Sequence, residues 1–274
     1  DIRCAKKDRK NIFIKLYNNQ PNSMDVFGIK KVYQDKSGGP SWNGLHWANG
    51  VSRTLTAGQK DSYDKTQCSE NRGNVPWTID GKGFLWFNGK CTSKTEPRFH
   101  LNNPSSYFFR DVECTMYMMR MADDNTNWAG PNCGVRSGPN GHSISSEYCD
   151  AHTYYQRIRY DGNMDIEKEL KHPDSSTRCT TNVWNGGKFP FNQWVGYKSV
   201  TYNTVVNGVQ GVRMELYRDM TNGTNGGTWE LLGTTTDTGG WAPPQSSPVC
   251  SYAKDYIPLT GGGVIVMRNT GVSN

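Results

Sequence analysis

The chain has 274 residues, of which 34% are hydrophobic, with 30 glycines, 14 tyrosines and 9 tryptophans. That aromatic content excludes a disordered chain and suits sheets joined by many turns. The formal charge is +6, from 31 basic and 25 acidic residues. It lacks the basic stripe that nucleic acid requires, though it is compatible with an acidic polysaccharide.

No apolar run approaches membrane-spanning length, so no membrane span is expected. Eight cysteines, at 4, 68, 91, 114, 133, 149, 179 and 250, are dispersed and contain no Cys-x-x-Cys pair. They read as disulfides made outside the cytosol, not as zinc ligands. Cys133 with Cys149 is the expected local pairing, because the two bracket a Gly/Ser-rich excursion. The chain starts at Asp1 and reads as a mature secreted protein whose signal peptide has been removed. Asn222-Gly223-Thr224 has the pattern of a glycosylation acceptor.

Taken in order, a short apolar strand is predicted at 12–17 and a second apolar run at 26–33. A turn cluster at 37–42 leads to Trp42, His46 and Trp47, expected to be exposed. The polar stretch 50–82 carries no clear period. Residues 84–87 predict a strand ended by the turn dipeptide Asn88-Gly89.

From 107 to 120 the alternation is plain. Phe108, Arg110, Val112, Cys114, Met116, Met118 and Arg120 share a core face, and Asp111, Glu113 and Tyr117 share the other. In 151–160 one face carries Thr153, Tyr155, Arg157 and Arg159, and the other His152, Tyr154, Gln156 and Ile158. Neither is the plain hydrophobic face of a purely structural strand. Further strands are predicted at 194–203, at 212–219 after an Asn207-Gly208 turn, at 228–232 and at 264–268. With no helical period, linker or repeat, the chain reads as a single all-β domain, a β-sandwich or jelly roll with long loops.

The pair of strands from Trp194 to Asp219 carries Trp194, Tyr202, Asn203, Val212, Leu216, Tyr217 and Asp219. This run resembles the paired strands of the concanavalin A-like lectin/glucanase jelly rolls. Lys198-x-x-x-Tyr202-Asn203 is similar to an element of alginate-lyase jelly rolls, with Arg110-Asp111-Val112-Glu113 standing for their Arg/Glu strand. Their Gln-x-His triplet has no counterpart; only Arg136 and a displaced His142 are near its place.

The resemblance implies a polysaccharide partner and, in first place, β-elimination on a uronate polymer without a metal. Elimination needs fixed donors for the sugar carboxylate and a group that exchanges the proton. His142, Tyr154, Tyr202 and Lys198 are the candidate catalytic residues, and Arg136, Arg157, Tyr155, Lys168, His172 and Glu113 the candidate substrate-binding ones. All of them are expected to converge on one open trough.

A non-catalytic lectin-like or extracellular structural role is the second reading, with Trp42, Trp47, Trp128, Trp184 and Trp241 as exposed sugar-stacking faces. Glycoside hydrolysis ranks third. It needs two carboxyl groups, for which Asp111 with Glu113, or Glu167 with Glu169, are available, although the Glu-x-Asp-x-x-Glu motif of jelly-roll glucanases is absent. Asp219, Asn222 and Asn225 form one oxygen-rich loop that could hold Ca²⁺, and residues 123–125 form another.

Overall fold

The computed structural model of the protein describes residues 23–33, 41–87, 97–102, 109–123, 126–138 and 148–269. The expected strand at 12–17, the Asn88-Gly89 turn and His142 lie outside these residues. Among the described residues the fold is all-β, a sandwich of antiparallel sheets with two short 3₁₀ turns near Leu45 and Tyr148 and a third at Thr224.

The strands are β1 (Arg53–Leu55), β2 (Ser69–Asn71), β3 (Trp77–Ile79), β4 (Leu85–Phe87), β5 (Arg98–Asn102), β6 (Val112–Met119) and β7 (Pro131–Ser137). They continue with β8 (Thr153–Ile158), β9 (Asn163–Lys171), β10 (Asp174–Asn182), β11 (Trp194–Val206), β12 (Val209–Asp219), β13 (Glu230–Asp237) and β14 (Val264–Asn269). A seven-stranded sheet runs β10-β9-β8-β7-β14-β5-β2, and a four-stranded sheet runs β13-β12-β11-β6. A small third sheet, β1-β3-β4, docks through Trp77, whose ring stacks on Phe99 of β5 at 5.0 Å.

Local chemistry explains the central hairpin. Asn207 and Gly208 have φ of 49° and 80°, the left-handed pair that a tight two-residue turn demands, and Val206 is set opposite Val209. Strand alternation then sends one set of side chains from each large sheet into a shared core. The seven-stranded sheet supplies Cys133, Val135, Ile158, Met164, Ile166 and Ile265, and the four-stranded sheet supplies Val195, Tyr197, Val212, Met214 and Leu216.

The interior is not purely apolar. Tyr197 donates its hydroxyl to the Gln156 carbonyl at 2.5 Å and accepts the Cys133 amide at 2.9 Å. Gln156 Nε2 reaches Thr201 Oγ1 at 2.6 Å. These bonds cross between the sheets and satisfy groups that would otherwise be costly to bury.

The cysteine expectation needs correcting. Cys149 is bonded to Cys250, not to Cys133. Cys133 is a reduced, buried thiol beside Cys114, because β7 and β6 turn those positions into the core between the two sheets. Burial pushes the Cys133 thiol well above its ordinary pKa, and the neighbouring Cys114 adds to the rise. Cys179 is also disulfide-bonded.

Candidate functional site

The outer face of the seven-stranded sheet is a polar groove of about 680 Å³. Register decides its contents. On β8, Tyr154, Gln156 and Ile158 turn inward, which leaves Thr153, Tyr155 and Arg157 outward. Across the strand pairs, Tyr155 lies opposite Glu167 of β9 and Gly134 of β7, and Arg157 opposite Asp165 and Asn132. On the far side, Val266 of β14 faces Gly134 and His100 of β5, and Arg268 faces Asn132 and Arg98. The Tyr155 ring leans across Gly134, where any Cβ would run into it. Arg268 sits over that ring at 5.0 Å.

The groove holds a charge network. The Arg157 guanidinium spans Asp165 Oδ2 at 3.0 Å and Glu167 Oε2 at 2.9 Å. Asp165 is fully buried and also receives Arg159 at 3.3 Å. Glu169, 3% exposed, meets His172 Nδ1 at 2.8 Å. Burial raises the Glu169 pKa, the His172 contact opposes that rise, and the nearby Glu167 charge adds to it. His100 is buried on the same face. Loss of water and the adjacent Arg98 and Arg72 push its pKa down to about 3, so it is neutral at physiological pH. Arg72, Arg98 and Trp128, the last 44% exposed, complete the walls.

Of the residues singled out from sequence, Arg157 and His172 line this groove, and Tyr155 is buried on the same face of the sheet. The other described candidates lie elsewhere and do not share this groove. Tyr154 and Lys168 project from the opposite side of the same sheet into the core. There the Tyr154 hydroxyl donates to Asp237 Oδ2 at 2.6 Å, and Lys168 Nζ reaches the same oxygen at 2.7 Å. Arg136 is a bulged residue of β7 with φ of 60°, fully buried, donating to the Pro258 carbonyl at 2.8 Å. Burial lowers its pKa to about 10.

Lys198, Glu113 and Tyr202 share the outer face of the four-stranded sheet. Lys198 Nζ meets Glu113 Oε1 at 2.5 Å and lies 4.5 Å from the Trp229 ring centroid. Glu113 Oε2 caps the backbone amides of Val32 and Tyr33, and the Tyr33 ring stacks on Tyr202 at 4.9 Å. The Tyr202 hydroxyl donates to Glu215 at 3.1 Å; burial and that carboxylate push its pKa up to about 12. Residues 23–33 therefore cover this face, and Lys198 is 1% exposed. The aromatics expected to be exposed divide as well: Trp128 stands in the groove, whereas Trp241 is 3% exposed and packs beside Tyr154.

The Asp219 carboxylate accepts the amides of Thr221, Gly223 and Thr228 and the hydroxyls of Thr221 and Tyr117. Its oxygens are occupied by N–H and O–H donors, an arrangement that organises a loop and leaves a cation little to bind. Asn222 and Asn225 both have φ of 53°, the left-handed conformation that Asn tolerates in turns. Among the described residues no group of three or more His, Cys, Asp or Glu side chains could hold a metal ion.

Hydrogen bonding outweighs partial burial and holds Asp219 at about 2, and Asp64 likewise through Ser69, Thr66 and Trp42. Both folded pKa values are depressed, so their contribution to stability is present above the unfolded value of about 4 and is lost as pH falls toward 2. Urea unfolding at a series of pH values will show that loss. Asp219→Asn will start less stable and lose less across the same window. An Asp219→Asn profile parallel to that of the parent would rule this assignment out.

Sequence reading missed Arg98, His100 and Arg268 as site residues. The alternation Asp165-x-Glu167-x-Glu169 was a usable signal, since Ile166, Lys168 and Leu170 occupy the inward set. No local signal could place strands as distant in sequence as β5 and β14 in the same sheet as β8.

No family model and no curated protein matches the chain. Among solved structures, the chain aligns with arcelin-5, a lectin-like defense protein from Phaseolus vulgaris, at 10% identity and a TM-score of 0.33. That alignment covers 81% of this chain and 98% of arcelin-5.

Proposed function

We propose that the protein binds an acidic polysaccharide along the outer face of its seven-stranded sheet. The observation that carries this reading is the open groove of about 680 Å³ with Arg72, Arg98, Arg157 and Arg268 along it and Trp128 at its rim. Arginine forks match carboxylate and sulfate oxygens, and an indole face takes a sugar ring. A disulfide that suits an oxidising compartment, and the lack of any membrane-crossing helix among the described residues, fit a protein working outside the cytosol. Elimination through Tyr154, Tyr202 and Lys198 draws no support from this geometry, because Tyr154 is sealed inside the sandwich and the other two occupy the far sheet.

Calorimetric titration with oligosaccharides of alginate, glucuronan and a sulfated galactan, against a neutral glucan of equal length, tests the proposal. An acidic ligand will bind, more weakly as salt rises. The Arg98→Ala and Arg268→Ala variants will each lose about tenfold in affinity, the worth of one charge-assisted hydrogen bond. Equal affinity for the neutral glucan, or undiminished binding by both variants, would exclude it.

A further inference from the structure

Strand register sorts the outer face of the seven-stranded sheet into files that cross its strands. One file is cationic: Arg98 of β5, Arg268 of β14, Asn132 of β7 and Arg157 of β8 stand opposite one another in turn. The next file, two residues along each strand, is His100, Val266, Gly134 and Tyr155. The arginine positions of β5 and β14 are one strand apart, about 5 Å, and those of β14 and β8 two strands, about 10 Å. That is the scale of successive sugar rings.

Two polar atoms of these files are buried and unmet. His100 is 1% exposed, and Phe99 and Leu101 on either side of it are core residues, so its ring belongs to the outer face. Its Nε2 has no hydrogen-bond partner among the described residues. Asn132 is fully buried in the file between Arg268 and Arg157. Its Nδ2 donates to the Gly130 carbonyl at 3.3 Å, which orients the amide, and its Oδ1 has no partner among the described residues. An unpaired buried group costs free energy that a ligand's hydrogen bond recovers.

The chemistry of the two atoms defines the ligand group. Asn132 Oδ1 only accepts, so its partner must donate. His100 is held neutral by burial and by the adjacent Arg98 and Arg72, so its Nε2 offers a hydrogen bond and no charge. A sugar hydroxyl serves both, because it donates and accepts. A sulfate or acetyl ester offers acceptors alone and leaves Oδ1 unmet. Glu167, which lines the groove in its pair with Arg157, also accepts from hydroxyls and repels added sulfate charge.

We propose that His100 and Asn132 select the ligand by hydrogen-bonding its ring hydroxyls, so that the groove takes a polyuronate with free hydroxyls in preference to a sulfated polymer. This rests on the polysaccharide-binding reading above and narrows its ligand class. The sugar carboxylates lie on Arg98 and Arg268. A guanidinium carries several donors, so each takes a ligand oxygen in addition to the contacts it already makes. Both arginines are partly exposed, and their turn onto the carboxylates lets the adjacent hydroxyls reach the two buried atoms.

Calorimetric titration of the full chain compares three glucuronan oligosaccharides of one length: unsubstituted, O-acetylated and O-sulfated. The acetylated ligand keeps the carboxylates and loses the hydroxyl donors. The unsubstituted ligand will bind at least about tenfold tighter than either ester, the worth of one buried group left unpaired. His100→Phe and Asn132→Leu will each narrow that ratio by weakening the unsubstituted ligand alone. Arg98→Ala will weaken the unsubstituted and acetylated ligands alike. The melting midpoint of His100→Phe will equal or exceed the parent's, because Nε2 gives up no bond in the free protein.

Equal affinity for the acetylated ligand, a tighter hold on the sulfated one, or a ratio unchanged in His100→Phe or in Asn132→Leu would overturn the assignment. So would a midpoint of His100→Phe that falls together with its affinity, the mark of a structural role. If Asn132→Leu does not fold, His100→Phe decides alone. Failure of every acidic oligosaccharide to bind would instead remove the polysaccharide-binding reading itself.

Discussion

Asp237→Asn will destabilise the fold by about 3–5 kcal/mol, the usual result of removing one partner from a buried ion pair. Asp237 is fully buried, and its Oδ2 receives both Lys168 Nζ at 2.7 Å and the Tyr154 hydroxyl at 2.6 Å. Lys168 is 1% exposed and keeps the Trp241 carbonyl, at 3.0 Å, as its other partner. Its ammonium would then sit in the core opposite a neutral amide. Burial already lowers the Lys168 pKa, and Asp237 is what offsets that.

In the variant the folded pKa of Lys168 falls further below its unfolded value of about 10.4. The unfolded chain then binds more protons, so the deficit shrinks as pH rises through that window. Urea midpoints measured at neutral and alkaline pH read both effects. Tyr154→Phe removes a single charge-assisted hydrogen bond and will cost about 1.5–3 kcal/mol. It leaves groove affinity unchanged, because Tyr154 points away from the groove. Asp237→Asn as stable as the parent at neutral pH would contradict this account of the core.

Removing the Cys149–Cys250 bond as Cys149→Ser with Cys250→Ser will cost about 3–5 kcal/mol. The cysteines are 101 residues apart in sequence. On the chain-entropy account, closing a loop of that size restricts the unfolded ensemble by about 4.7 kcal/mol. The thermal midpoint will fall on the order of 10 °C for a chain of this size.

The bond also anchors a wall of the site. It fixes the turn at Tyr148–Ala151 just before β8, and the Tyr148 carbonyl accepts the His172 amide at 3.0 Å. The double variant should therefore expose the His172 edge of the groove to faster hydrogen exchange. Unchanged melting and unchanged exchange would mean that the staple carries no such load.

Period-two alternation was enough to find β6, β8, β11, β12 and β14, because each strand spans enough residues for a repeat to show. The Asn207-Gly208 hairpin was legible for a stricter reason: the turn needs two residues that tolerate positive φ. The stretch 50–82 was not legible, since its strands β1, β2 and β3 have three residues each. Nor could periodicity pair Cys149, whose partner lies a hundred positions away.

Tyr154 and Tyr155 show where local reading ended. Alternation correctly puts them on opposite faces of β8, but which face is core depends on what lies across the sandwich. Here the interior is itself polar at Asp237, Lys168, Gln156 and Thr201, so polarity does not separate inside from outside.

By itself the chain determined that it would form antiparallel sheets with their turns in these places, since backbone φ preferences and side-chain alternation act within a few residues. Only the tertiary structure decided that β14 pairs with β7 and β5 with β14, and so that Arg98, His100 and Arg268 share a face with Tyr155 and Glu167. Strand order across a sheet is set by competition among distant segments to bury apolar faces, and that competition leaves no mark at the residues that end up side by side.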